Sequence, residues 1–470
     1  MSVTRELIER FATVVGDKNA LRDEADTAAY GHELRKLFKG RTPLVLRPGS
    51  VGEVAAILKL ATEMGTPVVP QGGNTGLVGG QTPDDSGTQI VLSLSRLAAI
   101  RELDEDAGTM TVEAGAILQT VQERAADKGF LFPLSIASQG SAQIGGILST
   151  NAGGVNVLAY GNARDLCLGV EVVLPTGEVM HDLKKLRKDN TGYDLKSLFI
   201  GAEGTLGVIT AAVLKLVPQP RGRQVAWAGV SDPAAALHLL RRSTAAAGGS
   251  LSAFELMADS AVRLAEKHMS GVRVPIQSDT PWHVLIEISS GRSEEEARSL
   301  AEEILGAALE DDVVSDAALA ASIAQGASFW QVRETIPDAQ RVEGASIKHD
   351  ISVPLSDIPA FIEEAGRVVA REVPEGRLMC FGHMGDGNLH FNVQGPAGAG
   401  EEFLAKWKAL NTAVHAVVRR YEGSFAAEHG IGKLKRDELG ETADPVSLEI
   451  MRRIKRTLDP AKIMNPGKLI

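Results

Sequence analysis

Two histidines, His383 and His390, flank a Gly-Asp-Gly turn within Phe-Gly-His-Met-Gly-Asp-Gly-Asn-Leu-His-Phe-Asn-Val, residues 381 to 393. Apolar residues on both sides predict a β-hairpin with a tight polar tip. If the two stand opposite each other, their Cβ atoms lie roughly 5 Å apart and both imidazoles can reach one metal ion. Further along, Ala-Glu-His-Gly-Ile-Gly offers Glu428 as a third ligand and His429 as a base. Two histidines and one carboxylate suit an open catalytic site for zinc or a similar divalent ion. The bland alternative is a decorated hairpin. Gly-Asp-Gly is an ordinary turn, and Glu428-His429 could open a helix, with the glutamate favoured by the dipole.

The elements that must position these residues lie in the second half. After Pro218 and Pro220, residues 224–230, 282–289 and 346–353 read as strands. Residues 232–247, 293–309, 355–371 and 401–421 read as helices. Strands and helices mixed with a hairpin predict an α+β domain, an antiparallel sheet covered by helices. The tail from Ala427 is expected to return to the first half.

The first half is a different kind of sequence. Leu44 to Arg47 reads as a strand, and Ser50 with Glu53 forms a capping box. Val54, Ile57, Leu58 and Ala61 make an apolar face, Gly65 stops the helix, and Val68 to Pro70 is the next strand. Then come three glycine-rich stretches: Gln71 to Gly80, Phe132 to Gly154 and Phe199 to Thr210. The first, Gln-Gly-Gly-Asn-Thr-Gly-Leu-Val-Gly-Gly, makes a concave nest of backbone N–H groups suited to a diphosphate. It lacks the spacing of the dinucleotide fingerprint, and alone it reads equally well as a glycine loop between strands. Small residues over three such lengths let backbone approach a large flat ligand closely.

Length and composition bound the rest. A chain of 470 residues predicts two or three domains. A net charge of −11 without a basic block argues against nucleic acid as a partner. Two cysteines, Cys167 and Cys380, form no disulfide framework, which fits a reducing cytoplasm. The N-terminal stretch has no apolar secretory core, and no uncharged run is long enough to span a bilayer. Peripheral membrane association stays open.

The three glycine stretches, in order and spacing, resemble the FAD-binding domain of the p-cresol methylhydroxylase and vanillyl-alcohol oxidase superfamily over roughly Arg35 to Gln219. The resemblance implies a two-subdomain FAD domain over 1–220, an α+β cap over 221–426 and a C-terminal segment, 427–470, returning to the FAD domain. It implies that Gly72, Gly73, Asn74, Thr75 and Gly76 hold the FAD diphosphate. It also implies that Gly140, Ser141, Gly145, Asn151 and Gly153, with Gly204 and Ile209, line the flavin and ribityl chain. No His or Cys occurs in 71–80 or 133–154, so the FAD is expected to be non-covalent.

The histidine pieces resemble those of flavin-dependent D-2-hydroxyacid dehydrogenases. Trp330 to Ala339 and Ile347 to Pro354 are most similar to the branch acting on D-2-hydroxyglutarate. By that resemblance Arg333 and Lys348, joined by Asn392, bind substrate carboxylates. His383, His390 and Glu428 hold the metal, and His429 is the catalytic base. Pro337 stands where that branch has a substrate-contacting threonine. Bland alternatives are a surface ion pair for Arg333 and a snorkelling strand residue for Lys348. The expected reaction is oxidation of a D-2-hydroxyacid, D-2-hydroxyglutarate first and D-malate besides, to the 2-oxoacid. A D-lactate or glycolate dehydrogenase is the alternative within the group. A metallohydrolase and a non-catalytic flavin subunit are the rivals from other classes. Zinc, manganese, iron and cobalt stay open as the metal, and an electron-transfer flavoprotein, a quinone or oxygen as the electron acceptor. The family suggests a homodimer.

Overall fold

The computed structural model of the chain describes residues 4–33 and 35–470. It divides into two compact units. One holds the residues up to Gly153 with Gly161–Pro218 and His429–Ile470; the other holds Gly154–Tyr160 and Gln219–Glu428. Residues 154–160, expected within an unbroken 1–220 domain, therefore group with the second unit.

The first unit is built on two larger sheets, with Phe130–Leu131 and Val217–Pro218 pairing separately. In the four-stranded one, Ala20–Leu21, Val45–Leu46, Ile90–Ser93 and Val68–Gln71 lie in that order, the last three parallel. The five-stranded sheet is antiparallel, in the order Ile100–Asp104, Thr109–Glu113, Val208–Lys215, Cys167–Val173, Val179–Asp182. Helix Val51–Met64 shows why local sequence suffices in places. Ser50 Oγ accepts from Glu53 N (3.2 Å), Glu53 Oε2 accepts from Gly49 N (2.7 Å), and Gly65 ends the helix at φ +60°. Its buried face is Val54, Ile57, Leu58 and Ala61, packed with Leu46, Ile90 and Leu92. Each of the larger side chains, Val54, Ile57 and Leu58, contributes about 1.5–3 kcal/mol by leaving water.

The second unit is an eight-stranded sheet with helices on both faces. The path is Asp316–Leu319, Gly222–Val230, Trp282–Ser290, Leu251–Ala258, Arg377–His383, Asn388–Gln394 and Ser346–Ile347, and Asp350–Ser352 also pairs with Asn388–Gln394. Side chains alternate between faces. Ala226, Phe254, Leu256, Ile286, Cys380, Leu389 and Phe391 pack in one core, with helices Pro233–Ala247, Glu294–Glu310, Ile358–Glu372 and Trp407–Arg420. Trp227, Ala253, Met257, Met379 and Phe381 pack in another, with helices Asp259–His268, Ile323–Glu334 and Ile336–Glu343. The same parity puts Glu255, His383, His390 and Asn392 on this second face. The predicted strand at 346–353 is two short strands, and the predicted helix at 401–421 is Glu401–Leu404 followed by Trp407–Arg420.

Candidate metal and flavin sites

The hairpin is present, Arg377–His383 and Asn388–Gln394 joined through Met384–Asp386, with Gly387 at φ +85° completing the turn. Its register differs from an opposed histidine pair. His390 stands across from Phe381, and His383 stands across from Glu255 on the neighbouring strand. The histidines are diagonal neighbours instead, with ring centroids 5.8 Å apart. Convergence survives because diagonal partners on one face lie within reach of long side chains. Donor atoms of His383, His390 and Glu428 all lie within 4.8 Å of one another, and His390 Nε2 is 3.8 Å from Glu428 Oε1.

Glu255 is the residue that the sequence reading missed. It is wholly buried in the strand Leu-Ser-Ala-Phe-Glu-Leu-Met-Ala, where a carboxylate must be paired to be tolerated. Its Oε1 lies 2.6 Å from His383 Nδ1, and its Oε2 accepts from Arg333 Nε at 2.6 Å. Burial would raise this carboxyl, but the charges of His383 and Arg333 overcome it and hold it down at about 2. Burial would lower His383, and Glu255 overcomes that in turn, holding it up at about 9. Burial keeps His390 below its usual value.

Arg333 is therefore no surface ion-pair residue. Helix Ile323–Glu334 is fastened to the sheet by two buried carboxylates, Trp330 Nε1 donating to Glu287 Oε2 (2.8 Å) and Arg333 to Glu255. The guanidinium lies over the Phe381 ring, 4.8 Å from its centroid. Its Nη nitrogens make no hydrogen bond within the described residues. Pro337 sits exposed in the first turn of the following helix, where a missing N–H costs nothing.

Glu428 is brought in by Asp350. The Ser352–Ser424 bridge lays residues 424–428 along the Asp350–Ser352 strand, and Glu428 N donates to Asp350 Oδ2 at 3.1 Å. Asn388 Nδ2 fixes the other oxygen of Asp350 at 3.0 Å. The chain at 425–434 is irregular, so Glu428 and His429 open no helix. His429 follows Glu428 as the first residue of the first unit's C-terminal part. Lys348 is half-buried in the link between two short strands. Asn392 is buried and already engaged, its Oδ1 accepting from His349 N (3.2 Å) and its Nδ2 donating to Gln340 Oε1 (3.0 Å). One amide hydrogen remains to it for a ligand.

In the first unit, the glycine stretches come together. A Cβ on Gly73 would lie 2.0 Å from the Ser141 carbonyl oxygen, so residues 72–76 and 138–142 touch backbone to backbone. Asn74 takes φ +56°, and its Nδ2 donates to the His32 carbonyl at 2.9 Å. The third stretch joins through Gly201 N, which donates to Leu148 O (3.0 Å), and Glu203 N, which donates to Ser149 O (2.8 Å). Gly140 and Ser141 are exposed, and Asn151 and Gly153 are half-buried. Three of the flavin-lining candidates also have close protein neighbours. Gly145 closes on Ala114, Gly204 packs on Pro70, and Ile209 is a buried strand residue paired with Val172.

Residues 219–469 match the family of FAD linked oxidases, C-terminal domain, and residues 42–182 match an FAD binding domain. The chain belongs to the FAD-linked oxidases. It is an FAD-dependent oxidoreductase, as the D-2-hydroxyacid dehydrogenase resemblance implied. A relative from Bos taurus, a mitochondrial D-2-hydroxyglutarate dehydrogenase, is 38% identical over 442 residues, 93% of this chain and 78% of that one. The D-2-hydroxyglutarate dehydrogenase of Stutzerimonas stutzeri (strain A1501) is 35% identical over 465 residues, 98% of each chain. The structure of p-cresol methylhydroxylase with substrate bound superposes with a TM-score of 0.76 at 15% identity, over 98% of this chain and 96% of that one. The expected fold is thus the one found. Among the described residues, no helix is long and apolar enough to cross a membrane.

The residues of this FAD-linked oxidase suit its cofactor. The N–H groups of Gly72, Gly73, Asn74, Thr75 and Gly76 donate no hydrogen bond within the described residues, which leaves a run of donors for phosphate oxygens. Asn74 Oδ1 and Gln143 Oε1 are buried acceptors without a partner among the described residues, and the flavin and ribityl groups carry donors. The second unit's donor set also suits a metal. A tetrahedral ion with ligand bonds of about 2.1 Å holds its donors about 3.4 Å apart. Small side-chain rotations would close His383, His390 and Glu428 to that spacing.

Proposed function

We propose that the protein oxidises a D-2-hydroxyacid to the 2-oxoacid, with D-2-hydroxyglutarate preferred, using non-covalent FAD and a divalent ion, zinc on this donor set. The observation that carries the reading is the buried Arg333, with its Nη groups unspent, on the same sheet face as His383 and His390. The D-2-hydroxyglutarate dehydrogenases to which the chain is similar along nearly its whole length support the choice of substrate.

When bound, the flavin supplies a two-electron acceptor and the ion on His383, His390 and Glu428 supplies Lewis acidity. Arg333 holds the α-carboxylate in a fork of two N–H donors. An imidazole nitrogen of His429 takes the proton of the 2-hydroxyl. Lys348, with the remaining amide hydrogen of Asn392, holds a distal carboxylate. D-Malate offers the same two acid groups on a shorter chain. An external acceptor, an electron-transfer flavoprotein or a quinone, must then remove the two electrons. Two reduced, buried cysteines suit a cytoplasmic setting.

Anaerobic titration of the purified holoenzyme with D-2-hydroxyglutarate, D-malate, D-lactate and glycolate tests this reading. Flavin bleaching should be strongest with the dicarboxylates and should fade after chelation. Lys348→Ala should weaken D-2-hydroxyglutarate selectively. Equal loss with D-lactate would defeat the distal-anchor role, and bleaching untouched by thorough chelation would defeat the metal.

A further inference from the structure

Glu255 holds a place that neither the metal set nor the substrate anchors account for. It sits mid-strand, wholly buried, and each carboxylate oxygen has one short contact: Oε1 to His383 Nδ1 and Oε2 to Arg333 Nε, both 2.6 Å. An ionised carboxylate can only accept. His383 must therefore carry a proton on Nδ1, so that when a metal displaces any proton from Nε2 it is the Nε2 lone pair that is presented, the arrangement that orients histidine ligands at metal sites. The same carboxylate uses up the Nε–H of Arg333 and fixes the guanidinium about its long axis. Phe381 covers one face of that guanidinium at 4.8 Å, so only the Nη edge is left for a ligand. The two partners come from different elements, the hairpin strand and helix Ile323–Glu334, and Glu255 on a third element bonds to both.

We propose that Glu255 is a positioning residue that ties the metal-ligand set to the substrate anchor, one carboxylate setting both the His383 tautomer and the Arg333 fork. This rests on the proposed function for the identity of both sites. A change in Glu255 should then alter ion affinity and substrate KM together, although Glu255 touches neither.

The test uses full-length holoenzyme with Glu255→Gln, which keeps the shape but offers an amide. Zn2+ and Co2+ affinity is read by competition with a chromophoric chelator, a measurement independent of turnover. We expect ion binding roughly 10–100-fold weaker. KM for D-2-hydroxyglutarate should rise as well, with flavin content and far-UV circular dichroism unchanged. Glu255→Asp retains the charge but is one methylene too short to reach both donors, and should show both losses in milder form. It also serves if the glutamine variant does not fold. Unchanged ion affinity and unchanged KM in either folded variant would overturn the proposal alone. Wild-type protein that binds no more ion than His390→Ala would overturn it together with the metal reading. A buried glutamate with a merely structural role would lower the melting temperature without moving the chelator competition.

Discussion

His429 is the one side chain whose proposed task is to move a proton rather than to hold a group. His429→Ala should therefore keep flavin and ion and lose about 10²–10⁴ in turnover, as general-base removal usually does. Stopped-flow flavin reduction checks this, and near-wild-type rates would remove His429 from the chemistry. At this scale the sequence was legible where residues advertise themselves. His383, His390 and Glu428 did so by type and local motif, and the structure brings their donor atoms within 4.8 Å. Glu255, Glu287 and Asp350 were not, because a buried acid means nothing until its partners are known. Arg333 lies 78 positions from Glu255, and Trp330 lies 43 from Glu287. One signal was available: Glu255 is the single charge in an otherwise uncharged strand.

Elements followed the same rule. Helix Val51–Met64 was readable to within a residue because its cap, apolar period and terminating glycine are all local. Strand Leu251–Ala258 was not, since it is buried on both faces and its apolar run carries no alternation to distinguish strand from helix. Helix Ile323–Glu334 begins in an alanine-rich stretch whose pattern has little amphipathic contrast, and its seat is set by Trp330 and Arg333 meeting two acids on the sheet. The register of the hairpin depended on a third strand as well, which is why the histidines are diagonal. The glycine stretches divide in the same manner between cofactor and packing. Gly73→Ala would push a methyl against the Ser141 carbonyl and part the two loops, whereas Gly146→Ala meets nothing within 4 Å. Overpacking of this kind costs about 1–3 kcal/mol. Flavin binding to Gly73→Ala, measured by fluorescence on reconstitution, should be weaker by roughly tenfold or more. Gly146→Ala should bind as wild type. Equal affinities in the two variants would show that the contact of the two loops does not shape the cofactor site.

At the scale of the whole chain, the first unit is completed by residues distant in sequence, and this return has a cost that can be measured. Asn465 N donates to Val68 O and Val68 N to Ile463 O, both at 2.8 Å, while Asn465 Nδ2 reaches the carbonyls of Gly80 (2.9 Å) and Glu203 (2.8 Å). Glu203 in turn accepts from Ile431 N and Gly432 N, each at 2.7 Å. The same return buries Lys468, 3% exposed, whose ammonium makes no hydrogen bond or ion pair within the described residues. Burial, then the like charges of Lys433 and Arg436, push its ammonium from 10.5 down to about 8, against the pull of Asp84 and Glu203. A lysine lowered on folding binds its proton more weakly in the native state than in the unfolded one. The penalty is therefore full below pH 8 and is relieved as pH rises from about 8 to 10.5. At about 1.36 kcal/mol per pH unit it amounts to about 3 kcal/mol. Lys468→Met, nearly isosteric and uncharged, should thus stabilise the flavin-free protein at pH 7. The gain should shrink steadily through that alkaline window, as followed by urea denaturation at a series of pH values. A constant difference between variant and wild type across the series would mean that Lys468 finds its compensation in solvent and that closing the unit costs nothing there.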